Sequence, residues 1–276
     1  MVDLTQHARK PQQWGDPYAA RIPLIPFIAD EDIQWLVVHW GGGPNIAGAR
    51  IEEPRTTFRQ KVAIQFGRCD RVLQGWSRYH VGKRWRGIAY SYAVDSLYGR
   101  LFELRGQREN GGQSGTAPTQ DGEWRHVNSN SVAVAIIHGF GQVATKRCWK
   151  TIGRMWVELG GPEVRGHRYF NPWAPAHHRT SCPGDKNTIR IERSLYVRAL
   201  GVLRWKNGLI HSKGGAVETL TRRLKDLGYP VEVGREYLRL EKILVILFQA
   251  AEGLKQDGVV GPATWTALAH ARRRGR

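Results

Sequence analysis

The sequence lacks the features that mark several protein classes. It has three cysteines, Cys69, Cys148 and Cys182, which are too few for a disulfide framework and leave at least one unpaired. No apolar run reaches the roughly 18 residues of a transmembrane helix, so no membrane span is expected. The N-terminus lacks the apolar core of a signal peptide. We therefore expect synthesis in the cytosol without self-directed export.

Acidic residues are also scarce. Asp and Glu number 24 against 42 Lys and Arg, which gives a formal net charge of +18. Such a charge predicts an anionic partner: nucleic acid, an anionic membrane, or an acidic polymer such as a bacterial cell wall. A nucleic-acid binder would explain the charge, but no nucleic-acid fold signature is present. The 11 tryptophans favour a carbohydrate-containing ligand, because indole rings stack on sugars.

Strand-like and helix-like segments alternate in the first three quarters of the chain. The apolar run from Trp35 to Val38 ends at His39, shortly before three glycines, which is typical of a buried strand that meets a Gly-rich loop. Residue periodicity then predicts helices over 55–79, 145–159 and 188–205, and strands over 88–94, 100–105 and 131–139. This alternation indicates an α/β domain that ends near residue 207.

The rest of the chain has a different, helical character. Apolar residues from Val217 to Leu227 fall on one helix face, and Gly228 is suited to end that helix. A strongly apolar second helix follows, and Pro262 is suited to begin a third. The predicted organisation is an extension at 1–30, an α/β domain at 31–207, a linker at 208–216, a small all-α three-helix domain at 217–270 and a basic tail at 271–276.

The segment "RGHRYFNPWAPAHHRTSCPGDK" concentrates potential metal ligands. It contains His167, His177, His178 and Cys182. A catalytic zinc site uses three protein ligands and leaves one position for water. Cys182 and one histidine of this segment supply two ligands, and His39 is the best third donor because it ends a core strand ahead of the glycines. Such a site could generate hydroxide and polarise a carbonyl.

Four motifs in one order carry a family resemblance. "VVHWGGG", "GIAYSYAV", "NSNSVAVAI" and "GHR…RTSCPGD" resemble the zinc-dependent N-acetylmuramoyl-L-alanine amidases of the phage-lysozyme and peptidoglycan-recognition-protein family, over about 33–200. The resemblance implies a central mixed β-sheet flanked by helices, with Zn²⁺ in a surface groove. It also implies hydrolysis, by a zinc-activated water, of the amide bond between the muramic acid lactyl group and the L-alanine of the stem peptide.

The resemblance also implies a set of metal ligands. These are His39, His167 and Cys182. The span between the second histidine and the cysteine is longer than is usual in the family, so His177 or His178 stays open as an alternative to His167. An inserted loop that leaves His167 as the ligand is the favoured interpretation.

Other residues match catalytic and groove positions of the family. Tyr90 matches the catalytic tyrosine, which could orient the water, accept its proton or donate to the oxyanion. Thr180 matches the residue that contacts the reacting carbonyl. Arg105, Thr116 and Asn130 lie where the family lines its substrate groove.

The C-terminal segment resembles the three-helix peptidoglycan-binding domain of cell-wall hydrolases. "DGVVGPATWTAL" is its most specific part, whereas "VEVGREYLRLEK" departs from the usual acidic-Gly turn. The implied role is a tether that raises the enzyme concentration at the wall.

The favoured hypothesis is a monomeric phage or prophage endolysin that acts on anionic peptidoglycan after a separate pore protein releases it. The alternative is a non-catalytic peptidoglycan recognition protein. Family members that only bind typically lack the cysteine, which Cys182 supplies here.

Overall fold

The computed structural model describes residues 8–16, 33–41, 57–83, 87–105, 116–119, 122–138, 142–174, 176, 179–206 and 210–271. His177, His178 and the tail residues 272–276 lie outside these ranges, as does most of the predicted extension. The chain divides into two compact units, one comprising Asp3–Thr151 and Pro162–Arg193, the other comprising Met1–Val2, Ile152–Gly161 and Ser194–Arg276. The domain boundaries predicted from the sequence remain predictions.

A five-stranded mixed sheet forms the centre of the first unit. Its order is β3-β2-β6-β1-β7. The strands are β1 (Trp35–Trp40), β2 (Tyr92–Asp95), β3 (Leu101–Glu103), β6 (Ser131–Ile137) and β7 (Glu163–Gly166). β1 runs parallel to both β6 and β7, and β2 runs parallel to β6, whereas β3 is antiparallel to β2. The predicted mixed sheet is thus confirmed.

The central strands are apolar because helices and loops cover them. All seven residues of β6 are buried, and so are the first five of β1. Buried parallel strands read as continuous apolar runs for this reason. A separate two-stranded hairpin joins β4 (Thr116–Pro118) to β5 (Trp124–His126).

Helices flank the sheet, as predicted. In the first unit they are α1 (Pro11–Trp14), α2 (Phe58–Gly82) and α4 (Asp185–Glu192). α3 (Lys146–Glu158) crosses the boundary between the units, and α5 (Leu195–Leu200) belongs to the second unit. Thr57 begins α2 with a capping box, in which its hydroxyl accepts from the Gln60 N–H and the Gln60 side chain accepts from the Thr57 N–H. The buried residues Cys69, Leu73 and Ser77 recur every four positions and define its inner face.

Several segments differ from the sequence prediction, including α1 and the β4–β5 hairpin, which were not predicted. The helix expected over 188–205 is two helices, α4 and α5, separated at Ser194, which has a left-handed backbone with φ of 50°. The segment expected to be a linker contains part of a hairpin between β8 (Trp205–Lys206) and β9 (Ile210–His211). β7 was not predicted, because its sequence "EVRG" has no apolar run.

The C-terminal module contains the three predicted helices, which are α6 (Gly215–Asp226), α7 (Arg239–Ala251) and α8 (Pro262–His270). Pro262 is at the first turn of α8, as predicted. Gly228 follows α6 with a φ of 93°, which favours glycine and ends the helix. Among the described residues, no helix has the length and apolar character needed to cross a membrane.

Candidate metal centre

Three side chains from distant parts of the chain form a potential metal-binding group. One ligand atom from each of His39, His167 and Cys182 lies within 4.8 Å of the other two. Cys182 Sγ is 3.7 Å from His39 Nδ1, and the two imidazole centroids are 4.6 Å apart. The structure therefore brings together the three residues named from the sequence.

The sheet register places the two histidines side by side. β1 pairs with β7 in parallel, and the last register pair is Val38 with Gly166. The residue after each member of this pair is a histidine. His39 lies in β1, and His167 begins the 3-10 helix His167–Trp173. Since the carboxyl ends of parallel strands meet at one edge, both imidazoles are at the same end of the sheet.

A tight turn brings Cys182 to this edge. The Arg168 N–H donates to the Cys182 carbonyl over 2.7 Å, and the Trp40 N–H donates to Cys182 Sγ over 3.3 Å. Gly166 allows the approach, because a Cβ there would lie 2.5 Å from Pro183 Cδ. Gly184 has a φ of 81°, and a Cβ there would lie 3.1 Å from the Trp40 ring. These glycines explain part of the "GH" and "CPG" patterns physically.

The donor set fits zinc. Tetrahedral bonds of about 2.3 Å to sulfur and 2.0–2.1 Å to nitrogen separate one sulfur and two nitrogens by roughly 3.3–3.6 Å. The distance of 3.7 Å between Sγ and Nδ1 is close to this range, and the 4.8 Å limit for the whole group exceeds it by only about 1 Å. Two imidazoles and one thiolate are typical zinc ligands, and three protein ligands leave one position for water or substrate.

Without a nearby cation, Cys182 is a protonated thiol. Burial raises the pKa of Cys182 to about 12, although the hydrogen bond from the Trp40 N–H lowers it. Metal binding requires the thiolate, so a metal would displace this proton. The thiol of a buried cysteine without a cation is otherwise unreactive.

Tyr90 adjoins the metal-binding group. Its ring centroid is 4.8 Å from that of His39 and 5.8 Å from that of His80. Burial is the largest cause that raises the pKa of the Tyr90 hydroxyl, followed by Cys182. The sequence placed Tyr90 at the site, and the structure sets its ring against one of the three potential ligands.

His80 supports the segment that carries Tyr90, and sequence reasoning missed it. Its Nδ1 accepts the Ala89 N–H over 3.2 Å. Burial, with a smaller contribution from the positive charge of Arg105, lowers the pKa of His80 to about 4. The available signal was a histidine on the inner face of α2, where buried residues of this helix recur.

Thr180 is fixed two residues before Cys182. Its hydroxyl accepts the Cys182 N–H over 3.0 Å. Its backbone forms two hydrogen bonds with the Asn171 side chain, at 2.8 and 2.9 Å. Asn171 belongs to the 3-10 helix that begins with His167, so one short element positions both a potential ligand and Thr180.

The three predicted groove residues have structural contacts of their own. The Arg105 guanidinium donates to the carbonyls of Ile88 and Gly87. Asn130 donates to the His126 carbonyl over 2.8 Å, and Thr116 pairs with His126 across the β4–β5 hairpin. Their contacts with a substrate remain predictions.

In comparisons with known proteins, a family model matches the C-terminal module. Residues 213–268 match the model of a family described as a putative peptidoglycan binding domain. No protein of curated function shows a significant sequence match to the chain.

Several solved structures resemble the larger part of the chain. Bumblebee PGRP-SA is 17% identical, with a TM-score of 0.45, over 67% of this chain and 93% of that one. Drosophila PGRP-LB is 16% identical, with a TM-score of 0.45, over 67% and 92%. Human PGRP-IBETAC, solved in complex with glycosamyl muramyl pentapeptide, is 14% identical, with a TM-score of 0.45, over 67% and 95%.

Proposed function

We propose that this protein is a zinc-dependent N-acetylmuramoyl-L-alanine amidase that cleaves peptidoglycan. The observation that carries the proposal is the grouping of His39, His167 and Cys182 ligand atoms within 4.8 Å. The same chain carries a segment, 213–268, that matches a putative peptidoglycan binding domain. A potential catalytic metal group and a wall-binding segment together indicate a hydrolase that acts on the wall.

His39, His167 and Cys182 would hold the ion. When bound there, Zn²⁺ supplies a Lewis acid for the scissile carbonyl and lowers the pKa of water. The protein fixes this donor set through the β1–β7 register and through the turn at Cys182. Preorganised ligands of this kind need no rearrangement during the reaction.

Thr180 and Tyr90 are assigned to the reacting groups. Because the Thr180 hydroxyl already accepts the Cys182 N–H, its own O–H proton is free to be donated to an acyl oxygen next to the metal group. Tyr90, packed against His39, is assigned to orient the attacking water or to donate to the oxyanion. Thr180 lies in the turn that carries Cys182, and Tyr90 lies just before β2 with its ring against His39.

The C-terminal module is assigned as a tether to the wall. Binding by a linked module raises the local concentration of the enzyme at its polymeric substrate. The net charge of +18 favours association with an anionic envelope. In this proposal the protein is a monomeric endolysin of a phage or prophage, made in the host cytoplasm and released to the wall by a separate pore protein.

The test is Cys182→Ser, measured for zinc content and for release of stem peptide from purified walls. We expect about one zinc ion per parent chain, and loss of both zinc and peptide release in the variant. Cys148→Ala is the matched control: Cys148 is also buried, but it is not part of the metal-binding group. It should keep zinc and activity.

Retained zinc with full wall clearing in Cys182→Ser would disprove the site. A parent protein that binds zinc and walls but releases no peptide would instead support the non-catalytic recognition protein.

A further inference from the structure

An aromatic patch with one exposed and two half-buried rings lies at the far end of the element that begins with His167. It consists of Trp124 on β5 and of Tyr169 and Trp173 on the 3-10 helix. The Trp124 and Trp173 rings meet edge to face with centroids 6.3 Å apart, and those of Tyr169 and Trp173 are 5.5 Å apart. Trp124 is 61% exposed, which is unusual for the largest apolar side chain.

The patch is built on rigid supports. Phe170, between the two aromatic residues of the helix, is buried and packs against Trp35 with centroids 5.6 Å apart. The Arg165 guanidinium lies 4.3 Å from the centroid of the Tyr169 ring. On the hairpin, Trp124 pairs with Pro118 in the ladder. A surface that is ordered before binding loses little entropy when a ligand arrives.

The patch and the metal-binding group share one short element. His167 begins the 3-10 helix and Trp173 ends it, so its axis spans roughly 12 Å at about 2 Å per residue. Asn171 of the same helix positions Thr180. The metal-binding group and the patch are therefore close enough for one extended polymer to reach both.

The chemistry of the patch favours a sugar over a peptide. Two guanidinium groups on its elements form ion pairs, Arg125 with Glu123 and Arg165 with Glu163. Carboxylates of a stem peptide would find no unpaired cation among these two. Pyranose rings instead present C–H faces that pack on indole and phenol rings, and aromatic anchors with a few polar groups are typical of such sites.

We infer that Trp124, Tyr169 and Trp173 form a glycan subsite on which pyranose rings of an N-acetylhexosamine strand stack. The further statement that the peptide-bearing sugar then lies at the metal group rests on the proposed amidase function. The long segment between His167 and Cys182 acquires a role in this arrangement, because it supplies two of the three rings.

The experiment measures calorimetric binding of a peptide-free β-1,4-linked N-acetylglucosamine tetramer to the full chain. Trp124→Ala should bind the tetramer on the order of tenfold more weakly, as for the loss of an interface aromatic anchor, and Trp124→Tyr should recover part of the loss. Phe58→Ala is the matched control, since Phe58 is 60% exposed and meets Tyr98 edge to face, outside the patch. It should bind like the parent.

Two results would overturn the subsite: a Trp124→Ala protein that binds as tightly as the parent, or a parent that does not bind the tetramer. Because Trp124 is largely exposed, the thermal midpoint of Trp124→Ala should match that of the parent, which separates lost binding from unfolding. Cys182→Ser should bind the tetramer normally. A protein that loses binding with Trp124→Ala but never cleaves an amide would disprove the amidase and leave the subsite intact.

Discussion

The metal-binding group and the C-terminal helical module are built in opposite ways. His39, His167 and Cys182 are far apart in the sequence and meet only through a sheet register and a turn. The three helices of the module lie in one contiguous stretch and have many local contacts, although Gly201 and Glu158 of the same compact unit also bond to them. The comparison teaches that the helices of such a module can be predicted from the segment that forms them. A metal site instead depends on how the strands of the whole sheet are arranged.

Many contacts of the C-terminal module are local. Gln249 on α7 accepts the Gly258 N–H over 2.9 Å and donates to the Val259 carbonyl over 3.1 Å. The Tyr237 hydroxyl donates to the Gly258 carbonyl over 2.8 Å. Asp257 caps the same turn by accepting the Val259 N–H, which is the largest cause that lowers its pKa. Three residues of the "DGVVG" sequence are thus held by nearby residues, whereas Val260 pairs with the more distant Leu203 in an antiparallel bridge. The local contacts help to make this sequence recognisable as a motif.

The largest expected effect tests whether damage to the module stays local. Trp265 is fully buried and its indole N–H donates to the Gly201 carbonyl over 3.1 Å. Trp265→Ala should lower the free energy of unfolding of its unit by about 3–5 kcal/mol, while zinc content stays at the parental level. Chemical denaturation and metal analysis measure the two. Leu247→Ala, at a 53% exposed position, is the control and should change stability by under about 0.5 kcal/mol.

Loss of zinc in Trp265→Ala would contradict the prediction, because the metal-binding group would then depend on the C-terminal module.

A smaller effect concerns His80, which supports Tyr90 from α2. Its pKa is about 4 in the folded protein and about 6.5 in an unfolded chain. Between these values the unfolded chain binds more protons, so the free energy of unfolding should rise as pH increases from about 4 to 6.5, by up to about 3 kcal/mol. Urea unfolding across this range should show a shallower rise for His80→Gln than for the parent. Parallel profiles for the two proteins would contradict the prediction.

The smallest expected effect tests the contact between β7 and the cysteine turn. A Cβ on Gly166 would lie 2.5 Å from Pro183 Cδ, so Gly166→Ala should displace the turn and weaken zinc binding by about 10–100-fold, as for other residues that orient ligands. Chelator competition measures this. The matched control is Gly75→Ala in α2, where a Cβ would meet no atom within 4 Å and helix propensity predicts a gain of up to about 1 kcal/mol.

Equal zinc affinities for Gly166→Ala and the parent would show that the turn can move without affecting the ligands.

Much of the fold was predictable because local patterns agree with tertiary structure. The buried strands β1 and β6 are apolar runs, and α2 has both a capping box and a regular inner face. β7 was not predicted because it is a strand through its pairing with β1 and not through its own composition. Ser194 has a left-handed backbone that divides the helix expected over 188–205. The sequence has no glycine or asparagine at this position that would have predicted the break.

The candidate site was predictable in identity but not in arrangement. The sequence named His39, His167 and Cys182, and the structure groups them. The alternatives His177 and His178 lie outside the described residues, so the preference for His167 rests on its grouping with the other two. His80 and the Trp124–Trp173 pair were not foreseen, since their partners come from other segments.

By itself, the sequence determined the residue types of the metal-binding group, the apolar core strands and the C-terminal module, because each depends on local pattern and chemistry. Only the tertiary structure decided that Val38 pairs with Gly166, which sets two imidazoles side by side, and that Pro183 packs where Gly166 has no side chain. The physical reason is that register and close packing are long-range properties: they follow from which strands are neighbours, and no single segment encodes that choice.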